Sequence, residues 1–293
     1  ETSPVMKALE LGAFEYVQKP SLSDIEEVAD RLRNLLKEAK KAKNKYKNKY
    51  NKTLLAHNVN PTSELDRLSS LQNAVKVSSI QVTPKCKLIA IGASTGGTVA
   101  LKDLFIQLQG KTPPIVVVQH MPPIFTKAFS ESLNRISPFE VREAANGDIL
   151  SANTTYIAPG GKQMRVSENR QGQMMIEITE DPPLNRFKPS VDYLFNSVSN
   201  LKIAKECQAV LMTGMGDDGA RGLLRLREAG ARTIAQDEES CVVFGMPKAA
   251  IERNAAMLVL PLNDIAAALV VGGGSMARSE KPEKPEKSGK KVS

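Results

Sequence analysis

Apolar residues along this chain fall into short runs separated by stretches with helical spacing, and the alternation is regular from Lys87 to about Val271. The pattern predicts strands at 87–92, 114–119, 155–158, 174–179, 208–213, 231–236 and 257–260. Several are unbroken apolar runs, such as Ile115-Val-Val-Val118, as expected of strands covered on both faces of a parallel sheet. Helical spacing predicts helices at 97–109, 125–135, 190–200, 220–229 and 247–253. The predicted fold class is therefore α/β, with a mostly parallel, doubly wound sheet. Between 139 and 180 the pattern shifts to short β-like segments broken by Asn146-Gly147 and Pro159-Gly160-Gly161, which predicts an inserted hairpin region.

Residues 1–43 carry a separate pattern. Ser3-Pro4 suits a helix start, Ala13-Phe-Glu-Tyr-Val-Gln18 alternates like a strand, and Lys19-Pro20 stops it. After a cap at Ser21 or Ser23, Ile25, Val28, Leu32, Leu35 and Leu36 share one helical face. A helix–strand–helix piece of this size cannot bury its own apolar faces, so it reads as the remnant of a larger domain. Residues 44–84, rich in Lys and Asn and then in Ser, Thr, Pro and Gln, read as a linker. Residues 272–293, with their Glu-Lys-Pro repeats, read as a disordered basic tail. That leaves 85–271 as the main domain.

Charge sharpens this division. The net charge of +8 comes from 37–52, with eight Lys against one Glu, and from 276–293, with six Lys or Arg against three Glu. The remainder is close to neutral, so no basic folded face is left for nucleic acid. No apolar run approaches the ~20 residues of a membrane helix, and Glu1, Glu10 and Glu15 interrupt any signal peptide. Three separated cysteines without a C-x-x-C pair, and two histidines, offer little material for a metal; reduced thiols in a cytoplasmic protein are expected.

In an open α/β sheet, reactive groups gather in the loops after the strands' C-terminal ends. Three such loops carry them here: Gly92-Ala-Ser94-Thr95-Gly96-Gly97, Gln119-His120-Met-Pro-Pro123 and Gly214-Met215-Gly-Asp217-Asp218-Gly219. The first suits a nucleophile elbow or a phosphate-cradling turn. It lacks G-x-G-x-x-G spacing and a following Gly-Lys-Ser/Thr, which weakens both nucleotide readings. The second offers a base, since His57 falls in the linker, although a histidine can also simply cap a strand end. The third offers a carboxylate, a plain turn or an acidic metal pair, and the residues alone do not choose between Asp217 and Asp218. A serine hydroxyl needs a base, and an imidazole needs an orienting carboxylate, so together the loops suggest a serine hydrolase.

At these loops the sequence resembles the chemotaxis protein-glutamate methylesterases, the CheB family. The matching motifs are Ile89-Ala-Ile-Gly-Ala-Ser-Thr-Gly-Gly97, Gln119-His-Met-Pro-Pro123, Tyr156-Ile-Ala-Pro-Gly160 and Asp181-Pro-Pro183 with Pro189-Ser-Val-Asp192. Further along they are Leu211-Met-Thr-Gly-Met-Gly-Asp-Asp-Gly219 and Thr233-Ile-Ala-Gln236 through Cys241-Val-Val-Phe-Gly-Met-Pro247. The resemblance implies Ser94 as nucleophile, His120 as base and Asp218 as orienting carboxylate, because Asp217 falls on the variable position of the family's Gly-Met-Gly-x-Asp-Gly. It also implies the Met215 backbone N–H as an oxyanion donor, and Thr95 as part of the site. The implied reaction is hydrolysis of glutamyl 5-O-methyl esters on the cytoplasmic helices of methyl-accepting chemotaxis receptors, releasing methanol, with receptor glutamine deamidation in some members. No cofactor, metal, nucleic acid or membrane insertion is implied.

Residues 1–43 resemble the closing part of a response-regulator receiver domain, with Thr2 or Ser3 at the switch hydroxyl and Lys19-Pro20 at its Lys-Pro pair. The phosphoacceptor Asp and its acidic neighbours are absent. The expectation is a chain not activated by phosphorylation, with a chemotaxis histidine kinase as partner only if the receiver were intact. The competing expectation is a catalytically idle receptor-binding or regulatory module whose glycine loops are structural.

Overall fold

The computed structural model describes residues 86–270 together with 4–5, 8, 13–17, 25–26, 28–29, 32–40 and 42. His57 with the whole linker 44–84, the basic tail 272–293, and Thr2, Ser3 and Lys19-Pro20 lie outside the described residues.

Seven strands form one parallel sheet. They are β1 (Leu88–Ala93), β2 (Ile115–Gln119), β3 (Glu140–Glu143), β4 (Thr154–Ile157), β7 (Cys207–Leu211), β8 (Arg232–Gln236) and β9 (Leu258–Leu260), in the spatial order β3-β4-β2-β1-β7-β8-β9. A separate antiparallel hairpin pairs β5 (Gln163–Glu168) with β6 (Met174–Thr179). The helices are α1 (Gly97–Gln107), α2 (Pro123–Ile136), α3 (Val191–Ser199), α4 (Ala220–Glu228), α5 (Met246–Glu252) and α6 (Leu262–Val270).

Successive strand residues face opposite sides of the sheet, and in β1 both sides are apolar. Ile89, Ile91 and Ala93 join a core with Leu101, Leu104 and Phe105 of α1, Phe125 and Phe129 of α2, and Ile265 and Leu269 of α6. Leu88 and Ala90 join a second core with Leu194 and Phe195 of α3, Leu223 of α4 and Met246 of α5. This two-sided burial is why the central strands lack the alternation of a half-exposed sheet. Beyond β1 the chain builds outward through β2 in one direction and through β7, β8 and β9 in the other. Its reversal therefore falls at neighbouring β1 and β7, and ligands of open α/β sheets bind outside such a switch point.

The architecture agrees with the expected class, with local differences. Only β5 and β6 of the 139–180 region form a hairpin; β3 and β4 extend the parallel sheet at its edge. The β3 segment Glu140-Val-Arg-Glu143 buries Val141 alone, so an edge strand of this kind carries almost no apolar signal. Helix α6 also lies beyond the expected elements, where Ala-rich spacing and Pro261 obscured it. Residues 13–17 are not a strand: no strand lies beside them among the described residues, and Tyr16 instead packs edge-on against Phe125, ring centroids 5.1 Å apart. Among the described residues no helix is long and apolar enough to cross a membrane.

Candidate active site

β1 delivers Ser94 directly from its buried C-terminal end, and α1 begins three residues later. The turn is tight. Gly97 N–H donates to the Ser94 carbonyl at 2.7 Å, and Gly96 holds φ +78°, a left-handed value that suits glycine. The Ser94 N–H is spent on the Thr213 carbonyl at 3.0 Å, which ties the serine turn to the loop after β7. Gly214 in that loop is a close-approach position, since a Cβ there would stand 2.7 Å from Ser94 Cβ and 2.3 Å from Met246 Sδ.

β2, alongside β1, ends one residue before His120, whose N–H donates to the Ala93 carbonyl at 3.1 Å. Its imidazole is nearly buried, with Nδ1 at 3.1 Å from Ser94 Oγ and Nε2 at 2.9 Å from Asp218 Oδ2. A carboxylate facing Nε2 assigns the proton of the neutral ring to that nitrogen. Nδ1 then presents its lone pair to the serine hydroxyl. The ring is used the other way round from trypsin-like proteases, where Nε2 meets the serine.

Asp218 is fully buried and held by five donors. Besides His120 these are Asn185 Nδ2 and Ser190 Oγ to Oδ1, each at 2.8 Å, Val191 N–H to Oδ2 at 2.7 Å, and Asp192 N–H to Oδ1 at 3.3 Å. Val191 and Asp192 open α3, so the carboxylate accepts N–H groups that have no partner within that helix. Ser190 is the N-cap of α3, its Oγ accepting from Tyr193 N–H while donating to Asp218. Asp192 returns the favour to α4, accepting from Gly222 N–H at 2.6 Å. The two helices are thus capped across each other by carboxylates. Burial pushes the Asp218 carboxyl up, but the hydrogen bond and charge of His120, with the Asn185 and Val191 donors, outweigh it and hold it below the usual range. Asp192 is raised, chiefly by burial and also by the Asp218 charge.

Asp217 and Asp218 separate cleanly. Asp217 is exposed and pairs with Arg253 Nη2 at 3.0 Å, while its neighbour faces the imidazole. Met215 is half-buried beside the serine turn, and among the described residues its N–H donates to no backbone or side-chain acceptor. It borders a cleft of about 610 Å³ with Gly216, Asn34, Lys37, Glu38 and Lys40. Thr95 is buried, its carbonyl accepting from Thr213 Oγ1 at 3.0 Å. Ser94, His120 and Asp218 therefore meet at the ends of three adjacent strands, with Thr95 and Met215 flanking them.

Three side chains at the site were not expected. Asn185 bridges Asp218 and Asp192 through one amide nitrogen, at 2.8 and 2.7 Å. Phe187 stacks on His120, with centroids 3.8 Å apart and planes 7° from parallel. Asp192 carries out the reciprocal cap. The Ser190-Val-Asp192 pattern at a helix start was the one visible signal; Asn185 and Phe187 sit in a polar, exposed segment that reads as loop.

Comparison with known proteins matches the chain to one family. A family model described as CheB methylesterase matches residues 89–269. The chain is 42% identical over 268 residues to a protein-glutamate methylesterase/protein-glutamine glutaminase of Desulfotalea psychrophila, covering 90% of this chain and 72% of that one. It is 42% identical over 271 residues to a second protein of that description from Pseudomonas syringae pv. tomato, covering 92% and 74%. The crystal structure of the Thermotoga maritima CheB methylesterase catalytic domain superposes with a TM-score of 0.60 at 36% identity, over 63% of this chain and 97% of that one.

Proposed function

The chain belongs to the CheB methylesterase family, and from that premise we propose that it hydrolyses glutamyl methyl esters on chemotaxis receptors by serine catalysis, and deamidates receptor glutamines at the same site. The observation that carries the reading is the unbroken hydrogen-bond chain from Ser94 Oγ through His120 to Asp218. The substrates are the cytoplasmic helices of methyl-accepting receptors, which places the protein in the cytoplasm. Residues 85–271 are the catalytic domain, 44–84 the linker, 272–293 the tail, and 1–43 belong to a receiver domain.

Ser94 Oγ attacks the ester carbonyl carbon as its proton passes to His120 Nδ1. Asp218 stays ionised and stabilises the imidazolium through Nε2–H. The resulting oxyanion is met by the Met215 N–H, with Thr95 beside the nucleophile; a donor preorganised in this way is worth a hundredfold or more, roughly, in rate. The intermediate collapses as Nδ1–H protonates the departing methoxide, leaving an acyl-enzyme and methanol. Water deprotonated by Nδ1 then attacks the acyl carbon, releasing the glutamate and Ser94. With a glutamine substrate the leaving group is ammonia, and the later steps are the same.

The test is methanol release from methylated receptor. Ser94→Ala and His120→Ala are each expected to lower kcat by about a thousandfold or more while remaining folded. Equal background rates for wild type and both variants would instead favour an idle receptor-binding module.

A further inference from the structure

We propose that the turn Leu184–Phe187 is a positioning device for the catalytic imidazole and carboxylate, with Asn185 and Phe187 as positioning residues; this rests on the esterase reading of the same site. The turn is closed by reciprocal hydrogen bonds, Leu184 N–H to the Phe187 carbonyl at 3.1 Å and Phe187 N–H to the Leu184 carbonyl at 2.9 Å. Its two central residues, Asn185 (φ 52°) and Arg186 (φ 69°), are both left-handed, the mark of a type I′ turn. Glycine is the favoured residue at the second of these positions, so an arginine there holds a costly conformation.

Leu184, Asn185 and Arg186 are all exposed, so the turn adds little to the core. Its specific inward contacts reach the site instead. The Asn185 amide nitrogen donates to Oδ1 of Asp218 and Oδ2 of Asp192, placing one donor between two buried carboxylates that would otherwise repel. It shares Oδ1 with Ser190 Oγ and the Asp192 N–H, while Oδ2 takes Nε2 of His120 and the Val191 N–H. Phe187 lies flat on the imidazole, fixing the ring plane that carries Nδ1 to Ser94 and shielding one face from water. The turn is itself anchored, since Gln163 Nε2 donates to the Phe187 carbonyl at 3.1 Å and Gln163 Oε1 accepts from Ser190 N–H at 2.9 Å. One surface turn therefore touches both the face of the base and one oxygen of the carboxylate that orients it.

The variants are chosen around the backbone. Asn185→Gly keeps the left-handed conformation and deletes only the amide. Phe187→Leu keeps bulk and deletes the flat ring, and Phe187→Tyr restores it. Each is assayed for methanol release from methylated receptor and for the rate at which a small fluorophosphonate labels Ser94, which needs the imidazole but not receptor docking. Expected are losses of about ten- to a hundredfold in kcat and in labelling rate for Asn185→Gly and Phe187→Leu, with KM within about twofold. Phe187→Tyr is expected to recover to within about threefold of wild type. Unchanged kcat and labelling, a rise confined to KM, or a loss at position 187 that Tyr does not restore would overturn the proposal. If Ser94→Ala retains activity, the esterase reading itself fails; if it is inactive while the turn variants match wild type, only this inference fails.

Discussion

The Gln119 side-chain nitrogen donates to the Ser94 carbonyl at 2.9 Å, and the same nitrogen lies 3.2 Å from the carbonyl of His120. One buried amide thus ties together the backbones that carry the nucleophile and the base. Gln119 is the last residue of β2, so its position is fixed by the sheet. Replacing it by Met keeps the volume and removes the donor. The Ser94 carbonyl keeps the Gly97 N–H, and the Gln119 Oε1 that is removed has no partner of its own, so the cost is a lost hydrogen bond of about 0.5–1.5 kcal/mol by equilibrium unfolding. Methanol release is expected to fall by about tenfold or more as the Ser94–His120 distance loosens. Wild-type kcat in a folded Gln119→Met variant would show that the clamp is dispensable.

Gly214 gives a steric test of the same neighbourhood. A methyl group there meets Met246 Sδ at 2.3 Å and Ser94 Cβ at 2.7 Å. The methionine can yield, but Ser94 is pinned by its own N–H bond to Thr213. Gly214→Ala is expected to destabilise by about 1–3 kcal/mol through overpacking and to depress the labelling of Ser94 by an organophosphorus reagent. Gly172→Ala is the contrast: its φ of +76° brings a backbone penalty that Gly214 does not carry, but the space around its Cα is open, so it should leave labelling unchanged.

The parts of the site legible in the sequence are those where chemistry and backbone demand coincide. Ser94 stands among glycines because β1 must turn sharply into α1, and His120 and Asp218 follow apolar strands that end at the same edge of the sheet. The choice of Asp218 over Asp217 could come from the family pattern but not from composition, because the two differ only in where the loop turns them. Asn185 and Phe187 were invisible for a related reason. Their segment, Asp181–Phe187, has no strand or helix periodicity and is exposed up to Arg186, and only a turn with two left-handed residues brings Asn185 and Phe187 onto the triad. β3 was hidden by the polarity of an edge strand, whereas the central strands declared themselves through unbroken apolar runs.

Two neighbouring carboxyls should leave opposite marks on acid stability. Asp218 is held below its ordinary value of 3.8, so it contributes stability that is complete above that value and is lost as pH falls through its lower native pKa. Asp192 is raised above 3.8 by burial and by the charge of Asp218. Its contribution is complete below the unfolded value and is lost as pH rises through its native pKa. Urea unfolding from about pH 2.5 to 6 should therefore show Asp218→Asn with a flatter acid loss than wild type. Asp192→Asn should show stability rising more steeply with pH over that range. The same slope in all three proteins would contradict this assignment of charge.

The cysteines offer a test of nucleophile identity. Burial pushes the Cys86 thiol up to about 11 and the Cys207 thiol up to about 12, from an ordinary 9.0. At pH 8 each is then a thiolate in about one molecule per thousand or fewer, so alkylation is slow. Cys207 opens β7 in register with Leu88, at the strand ends opposite the site, roughly 20 Å of extended chain from Ser94. Cys241 is also buried. Iodoacetamide at pH 8 should therefore leave methanol release near the untreated rate, whereas a fluorophosphonate should abolish it by labelling Ser94. Unchanged methanol release after complete fluorophosphonate treatment, together with rapid inactivation by iodoacetamide, would remove serine from the role given to it here.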